Sequence, residues 1–284
     1  MKFIIFNWKS YLGIDDSNLL VKFISKTKFI NKFKIILAPS SLSLGLLKHK
    51  YSNVTFSAQN FDESNFLTKF ISKTKFKNKY NLIVAPSSLA LGFLKNKYKN
   101  VNFSGQNFDF YGKGGFTSFM PISDLSENNI NYALIGHSEV RQYRKENNSI
   151  VNLKLKLTLD TKITPIVCIG EDLNTYKKKL TTDYLKKQMI ETFDKNTQYK
   201  EVFIAYEPLW AIGSGLVPTN DEISKIADFI NFFLKDYSFK KLKILYGGSV
   251  NSENLEQLSK IKELDGFLVG SASIKKSFIN KFKL

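Results

Sequence analysis

Cysteine, histidine and arginine are nearly absent from this chain. Its 284 residues include one cysteine (Cys168), two histidines (His49 and His137) and two arginines (Arg141 and Arg144). A single cysteine closes no internal disulfide, which excludes the stapled scaffolds of small secreted proteins. No apolar run reaches the length of a membrane-spanning helix. The amino terminus, Met1-Lys-Phe-Ile-Ile-Phe6, reads as a strand, with no apolar signal region and no small-residue cleavage site. These absences point to a cytoplasmic protein.

The scarcity of arginine also bears on the formal charge of +17. Nearly all of it is lysine, scattered among Asn, Phe and Ile, as in Lys77-Asn-Lys-Tyr80. Nucleic-acid sites usually gather charge on one face and favour arginine. A compositional bias toward Lys, Asn, Ile and Phe gives the same charge with no function attached. Neither nucleic acid nor membrane is expected as a partner, although the charge can speed encounter with a small anion. A basic nucleic-acid binder is the reading that the charge alone motivates, and it predicts affinity falling steeply with salt.

What is present suffices for one large α/β domain or two small ones. The strongest organisational feature is a tandem repeat. Residues 15–61 and 62–108 align without a gap at an offset of 47, with 33 of 47 positions identical. Ala38-Pro-Ser-Ser-Leu42 recurs as Ala85–Leu89, and Ser57-Ala-Gln-Asn-Phe61 recurs as Ser104-Gly-Gln-Asn-Phe108. Each copy reads helix, strand, helix, strand. The strands are Ile35–Ala38 and Val54–Ala58 in the first copy, Leu82–Ala85 and Val101–Gly105 in the second. Two copies are too few for a solenoid, which needs about three. A segmental duplication inside one domain is expected, and removing either copy leaves 237 residues.

The chemistry gathers at predicted strand ends. In Ala205-Tyr-Glu-Pro-Leu-Trp-Ala-Ile-Gly-Ser-Gly215, the carboxylate Glu207 follows a buried strand. Pro208 fixes the backbone direction, and the Gly-Ser-Gly run can bring N–H groups to an anion. That order suggests a base beneath a lid; a surface carboxylate before an ordinary turn is the alternative. Lys9 lies just past the first predicted strand, Lys2–Phe6, where it is either a cation at a barrel mouth or a solvated surface lysine. His137 follows Tyr132–Ile135 in Gly136-His-Ser-Glu139. Ser138 can cap the helix that begins there, whose positive end disfavours an imidazolium. A lone histidine is more often structural than catalytic, and its place at a strand–helix junction is what singles it out. The late strands Lys243–Tyr246 and Phe267–Val269 end in Gly247-Gly-Ser249 and Gly270-Ser271. Each opens onto a helix, an arrangement suited to a phosphate held by backbone N–H groups.

Strands alternating with helices predict a parallel sheet. Active sites of (β/α)8 barrels sit at strand C-terminal ends, where all these residues lie, with a phosphate site at the last two strands. Ten candidate strands are present. Eight is the number whose interior side chains fill a barrel, so the repeat supplies a surplus pair. The expected fold is α/β: a (β/α)8 barrel, one domain over residues 1–284, with an extra helix-strand-helix-strand segment.

At this point the chain resembles the triosephosphate isomerase family. The resemblance rests on Asn7-Trp-Lys9, Gly136-His-Ser-Glu139, Pro165-Ile-Val-Cys-Ile-Gly-Glu171, Ala205–Gly213, Tyr246-Gly-Gly-Ser-Val250 and Asp265-Gly-Phe-Leu-Val-Gly270, in family order. It implies a TIM barrel that interconverts dihydroxyacetone phosphate and D-glyceraldehyde 3-phosphate in glycolysis and gluconeogenesis, with no cofactor and no metal. It implies Glu207 as the base, His137 as a neutral imidazole that polarises the carbonyl, and Lys9 as the cation for the enediolate and phosphate, oriented by Asn7. Backbone groups at Gly213, Gly248, Ser249, Gly270 and Ser271 would hold the phosphate. Ser138 and Glu139 would support the site, and Cys168 would only pack.

The departures from the family pattern are local. Ser271 stands where the family usually has Gly, and Leu216-Val217-Pro218 replaces Lys-x-Ala at the far hinge of the 208–218 lid. Phe119 and Val140 replace an acid and a base in the region that the family uses for its homodimer. A dimer with an altered interface is expected. Catalysis impaired by the duplication, leaving a barrel that only binds a sugar phosphate, is the alternative function. The surplus copy is expected in a helix-to-strand connection, on the barrel's bottom face.

Overall fold

The computed structural model describes residues 2–7, 36–37, 55–56, 59–74, 80–112, 114, 120–212 and 216–282. These contain strands β1 (Lys2–Asn7), β2 (Ile36–Leu37), β3 (Thr55–Phe56), β4 (Tyr80–Ala85) and β5 (Asn102–Gly105). Further along are β6 (Tyr132–Ile135), β7 (Thr164–Ile169), β8 (Tyr199–Tyr206), β9 (Phe239–Tyr246) and β10 (Gly266–Val269). Strands β4 to β10 form a curled parallel sheet in which each pairs with the next. β1 pairs in parallel with both ends of that sheet: Ile4 lies opposite Leu82 on one side and Phe267 on the other. The order of hydrogen-bonded strands therefore closes. β2 and β3 pair only with each other among the described residues.

Strand period two sorts the side chains into two layers. Ile83, Ala85, Leu134, Ile166, Cys168, Phe203, Ala205, Leu245 and Leu268 make one small buried cluster, contributed by alternate residues of successive strands. This is the inner layer. The residues between them, such as Val84, Ile135, Val167, Ile204, Ile244 and Val269, join a larger cluster that packs against the helices. Burial on both faces explains the near-continuous apolar reading of β7 and β8. The helix Asn220–Leu234 shows the outer layer's logic. Ile223, Ala227, Ile230 and Leu234 are its buried stripe, and Thr219 with Glu222 forms a capping box at its start. No helix among the described residues is long and apolar enough to cross a membrane.

The sheet strands β4 and β5 belong to residues 62–108, and the helix Gln59–Lys73 that precedes them crosses the boundary between the repeats. Gln59-Asn-Phe61 is helical, whereas the identical Gln106-Asn-Phe108 is irregular chain after β5. The chain that separates β1 from this helix runs from the C-terminal end of a strand to the start of a helix. The expected placement of the surplus copy on the barrel's bottom face falls on residues 8–35 and 38–54, which lie outside the described residues. The Lys-rich stretch after Glu171 forms two helices, Leu173–Lys177 and Thr181–Thr192.

Candidate active site

Glu207 follows β8 in the same alternation as Phe203 and Ala205, so it continues the inner layer at its open end. The carboxylate is buried at 2% exposure. Its neighbour Gly247 has the same phase on β9, two residues after Leu245. A Cβ on Gly247 would lie 2.7 Å from Glu207 Cγ, so only glycine leaves the carboxylate its place. Gly270 has that phase on β10, and a Cβ there would meet nothing within 4 Å. Small residues at two successive strand ends thus open space beside one buried acid.

His137 reaches the same space through a turn. Gly136 has φ +67, a left-handed conformation that glycine adopts without strain, and it ends β6 sharply. His137, not the expected Ser138, is the N-cap of the helix Ser138–Arg144; Ser138 is the first helical residue. The His137 Nδ1 accepts the Glu139 N–H at 3.3 Å. An accepting Nδ1 leaves Nε2 as the ring nitrogen that can donate. That Nε2 lies 3.5 Å from Glu207 Oε1. The other carboxylate oxygen, Oε2, accepts the Ser138 N–H at 3.2 Å. The junction is tied down by Arg141, whose Nε donates to the Gly136 carbonyl at 2.7 Å and whose Nη2 donates to the Cys168 carbonyl at 3.2 Å.

These groups line one cavity of about 440 Å³, together with Glu139, Gly248, Ser249, Gly270 and Ser271. Of the expected site residues, the structure brings together His137, Glu139, Glu207, Gly248, Ser249, Gly270 and Ser271. Ser138 joins them through its N–H. Lys9 and Gly213 lie outside the described residues, and Asn7 is described as the last residue of β1. The Ser249 hydroxyl donates to the Ala211 carbonyl, linking the β9 loop to the chain that leads toward Gly213.

Three contributors carried no role in the sequence reading. Gly247 sets the carboxylate's position. Lys275 is a cation on the cavity's rim. Glu171, fully buried, accepts from the Trp210 Nε1 at 2.8 Å and from the Tyr206 hydroxyl at 3.2 Å, so it anchors the segment after Glu207. Trp210 also stacks on Tyr176, with centroids 4.0 Å apart. Burial, reinforced by Glu171, pushes the Tyr206 hydroxyl well above the usual phenol range, so it stays a donor. The signal for Glu171 was available: a carboxylate directly after an apolar strand.

The family model described as triosephosphate isomerase matches residues 63–283. The chain belongs to the triosephosphate isomerase family. The match begins one residue into the second repeat, the copy whose strands stand in the sheet. Among curated relatives, the triosephosphate isomerase of Mesomycoplasma hyorhinis is 39% identical over 175 residues, 61% of this chain and 70% of the relative. That of Buchnera aphidicola subsp. Baizongia pistaciae is 39% identical over 173 residues, 59% of this chain and 69% of the relative. The triosephosphate isomerase of Yarrowia lipolytica is 37% identical over 172 residues, 60% and 70% of the two chains.

Proposed function

We propose how this chain performs the reaction of its family, the interconversion of dihydroxyacetone phosphate and D-glyceraldehyde 3-phosphate. The observation that carries the reading is the 3.5 Å approach of Glu207 and His137 in a cavity also lined by Gly247, Gly248, Ser249, Gly270 and Ser271. Glu207 removes a proton from the carbon beside the carbonyl and returns it to the neighbouring carbon. His137, neutral and carrying its hydrogen on Nε2, donates to the carbonyl oxygen and then to the enediolate. Atoms balance without a further reagent: the carbon-bound proton leaves one carbon and joins the next, and the hydroxyl proton leaves one oxygen and joins the other by way of His137 Nε2. Lys9 is the cation for the enediolate and the phosphate, and Asn7 orients it. N–H groups at Gly213, Ser249, Gly270 and Ser271 hold the phosphate, with Gly248 keeping the backbone close. Segment 208–218 closes over the site and excludes water.

The architecture we propose is a (β/α)8 barrel of β1 and β4 to β10, arisen by duplication, with the first repeat outside it. A homodimer in which Phe119 and Val140 alter the usual polar contact, and a cytoplasmic location, complete the reading.

Turnover of glyceraldehyde 3-phosphate by the purified full chain, beside Glu207→Asp, tests it. Shortening the side chain withdraws the carboxylate by about 1 Å, which should lower kcat roughly 100-fold. Equal rates in the two proteins, or no turnover by the folded parent, would overturn the assignment.

A further inference from the structure

The repeats are 33 of 47 identical, and only one occupies the sheet. We propose that the sector between β1 and β6 is an exchangeable docking site for either repeat. Residues 62–108 fill it in the structure described, and residues 15–61 are its second occupant. This inference does not depend on the catalytic roles assigned above.

The contacts that hold residues 62–108 in place are largely encoded in both copies. Ile83, Ala85, Leu94, Val101, Phe103 and Phe108 are each at most 5% exposed, and they recur as Ile36, Ala38, Leu47, Val54, Phe56 and Phe61. The specific polar contacts recur as well. Gln106 Nε2 donates to the Ala85 carbonyl at 3.1 Å, and Asn107 Oδ1 accepts from the buried Lys154 at 2.9 Å. Gln59 and Asn60 carry the same groups. The Tyr98 hydroxyl donates to Asn65 Oδ1 at 2.8 Å, a pair repeated as Tyr51 and Asn18. A sector that accepts one copy by these contacts is complementary to the other.

The differences set the preference. Gly105 becomes Ala58, and a Cβ at that position would lie 3.0 and 3.1 Å from the two methyl groups of Leu125, so Leu125 would have to move. Ala90 and Val84, both fully buried, become Ser43 and Leu37, which add a hydroxyl and a methylene where there is no room. The Asn102 to Asn81 side-chain hydrogen bond of 2.9 Å becomes Thr55 facing Lys34. One difference runs the other way. The buried Thr68 hydroxyl has no hydrogen-bond partner among the described residues, and Val21 removes it. Three packing defects against one relieved hydroxyl place residues 62–108 in the sector.

Hydrogen exchange on the full chain tests this, because peptides from Lys34–Ala38 and Asn81–Ala85 differ in sequence. In the parent, the amides of 82–85 should be strongly protected and those of 35–38, where Ile36–Leu37 pairs only with Thr55–Phe56 among the described residues, far less so. Gly105→Val adds a branched side chain where a Cβ is already crowded. It should lower the protection of 82–85 at least about 100-fold and raise that of 35–38 by a similar order. A second chain lacking residues 62–108 should fold cooperatively, with 35–38 protected. Persistence of protection at 82–85 in Gly105→Val would overturn the proposal. So would failure of the 62–108 deletion to fold where a 15–61 deletion folds. If Gly105→Val does not fold but the 62–108 deletion does, the first copy fits the sector and the proposal stands.

Discussion

The site turns on one missing methyl group. Gly247 lies against Glu207 closely enough that a Cβ would approach Cγ at 2.7 Å. Alanine at 247 must therefore displace the carboxylate, not the backbone alone. The expected result for Gly247→Ala is a kcat lower by roughly 100-fold, from about 1 Å of misplacement, with an unchanged circular dichroism spectrum. A variant with parental kcat would show that the acid tolerates the shift. The same scale joins the cap at His137 to the donor role proposed for it. Accepting the Glu139 N–H occupies Nδ1 and leaves Nε2 as the nitrogen that can serve the cavity that His137 lines. Replacing His137 with Gln keeps a donor but loses the ring's fixed orientation, so kcat should fall while the loops at Ser249 and Gly270 still bind phosphate. Inhibition by inorganic phosphate, measured beside kcat, checks the split.

At the scale of elements, the helix Asn220–Leu234 carries the chain from the far hinge to β9. Its capping box satisfies two otherwise unpaired N–H groups. Hydrogen bonding, first from the Thr219 N–H, holds the Glu222 carboxyl below the usual carboxylate range. A carboxyl depressed in the folded state contributes stability above its unfolded pKa and loses it as pH falls through the folded one. Thr219→Ala should cost about 1 kcal/mol in urea unfolding at neutral pH. The Glu222→Gln variant should differ from the parent less at acid pH than at neutral pH. If the gap does not narrow on acidification, the carboxylate is not what the cap uses.

Strands and site were legible where local pattern decides. The apolar runs before Gly170, Glu207 and Gly247 mark β7, β8 and β9, and strand period two places Glu207 on the inner face. The cap was misread because the sequence offered Ser138, the commoner capping residue, while the tertiary turn at Gly136 presents His137 instead. The role of Gly247 was illegible because it depends on a contact between two strands far apart in sequence. So does the choice of repeat. The local signals of the two copies are nearly the same, and the deciding contact comes from Leu125, outside both. Gln59-Asn-Phe61 and Gln106-Asn-Phe108 make the point within one chain: one triplet, helical in one place and irregular in the other.

For the whole molecule, tyrosines govern behaviour in alkali. Burial, the largest cause at each, raises the hydroxyls of Tyr132, Tyr199, Tyr206 and Tyr246 above the ordinary 10.0. The folded chain keeps these protons where the unfolded chain releases them, so their contribution is complete below pH 10 and declines as pH rises beyond it. Lys154 and Arg141 act in the opposite sense, since burial pulls each below its ordinary value, but Tyr176, Tyr184 and Tyr237 are raised as well and the tyrosines outnumber them. Stability from urea unfolding should be level from neutral pH to about 9.5 and then fall. A rise across that range would reverse the assignment.

The closed order of strands has a consequence in time. β4 is paired on both sides, with β1 and with β5, and β5 in turn with β6. A closed order offers no edge from which a strand can be peeled while its neighbour waits. Trading one repeat for the other therefore requires the sheet to open. The trade is then as slow as unfolding, which for small domains ranges from under a second to days. Synthesis delivers residues 15–61 before residues 62–108, and the amino-terminal copy meets β1 first. Protein collected soon after translation and protein refolded from urea should therefore differ in which copy is protected. The two populations should converge only at the rate of global unfolding, so that the chain keeps for a while a record of the order in which it was made.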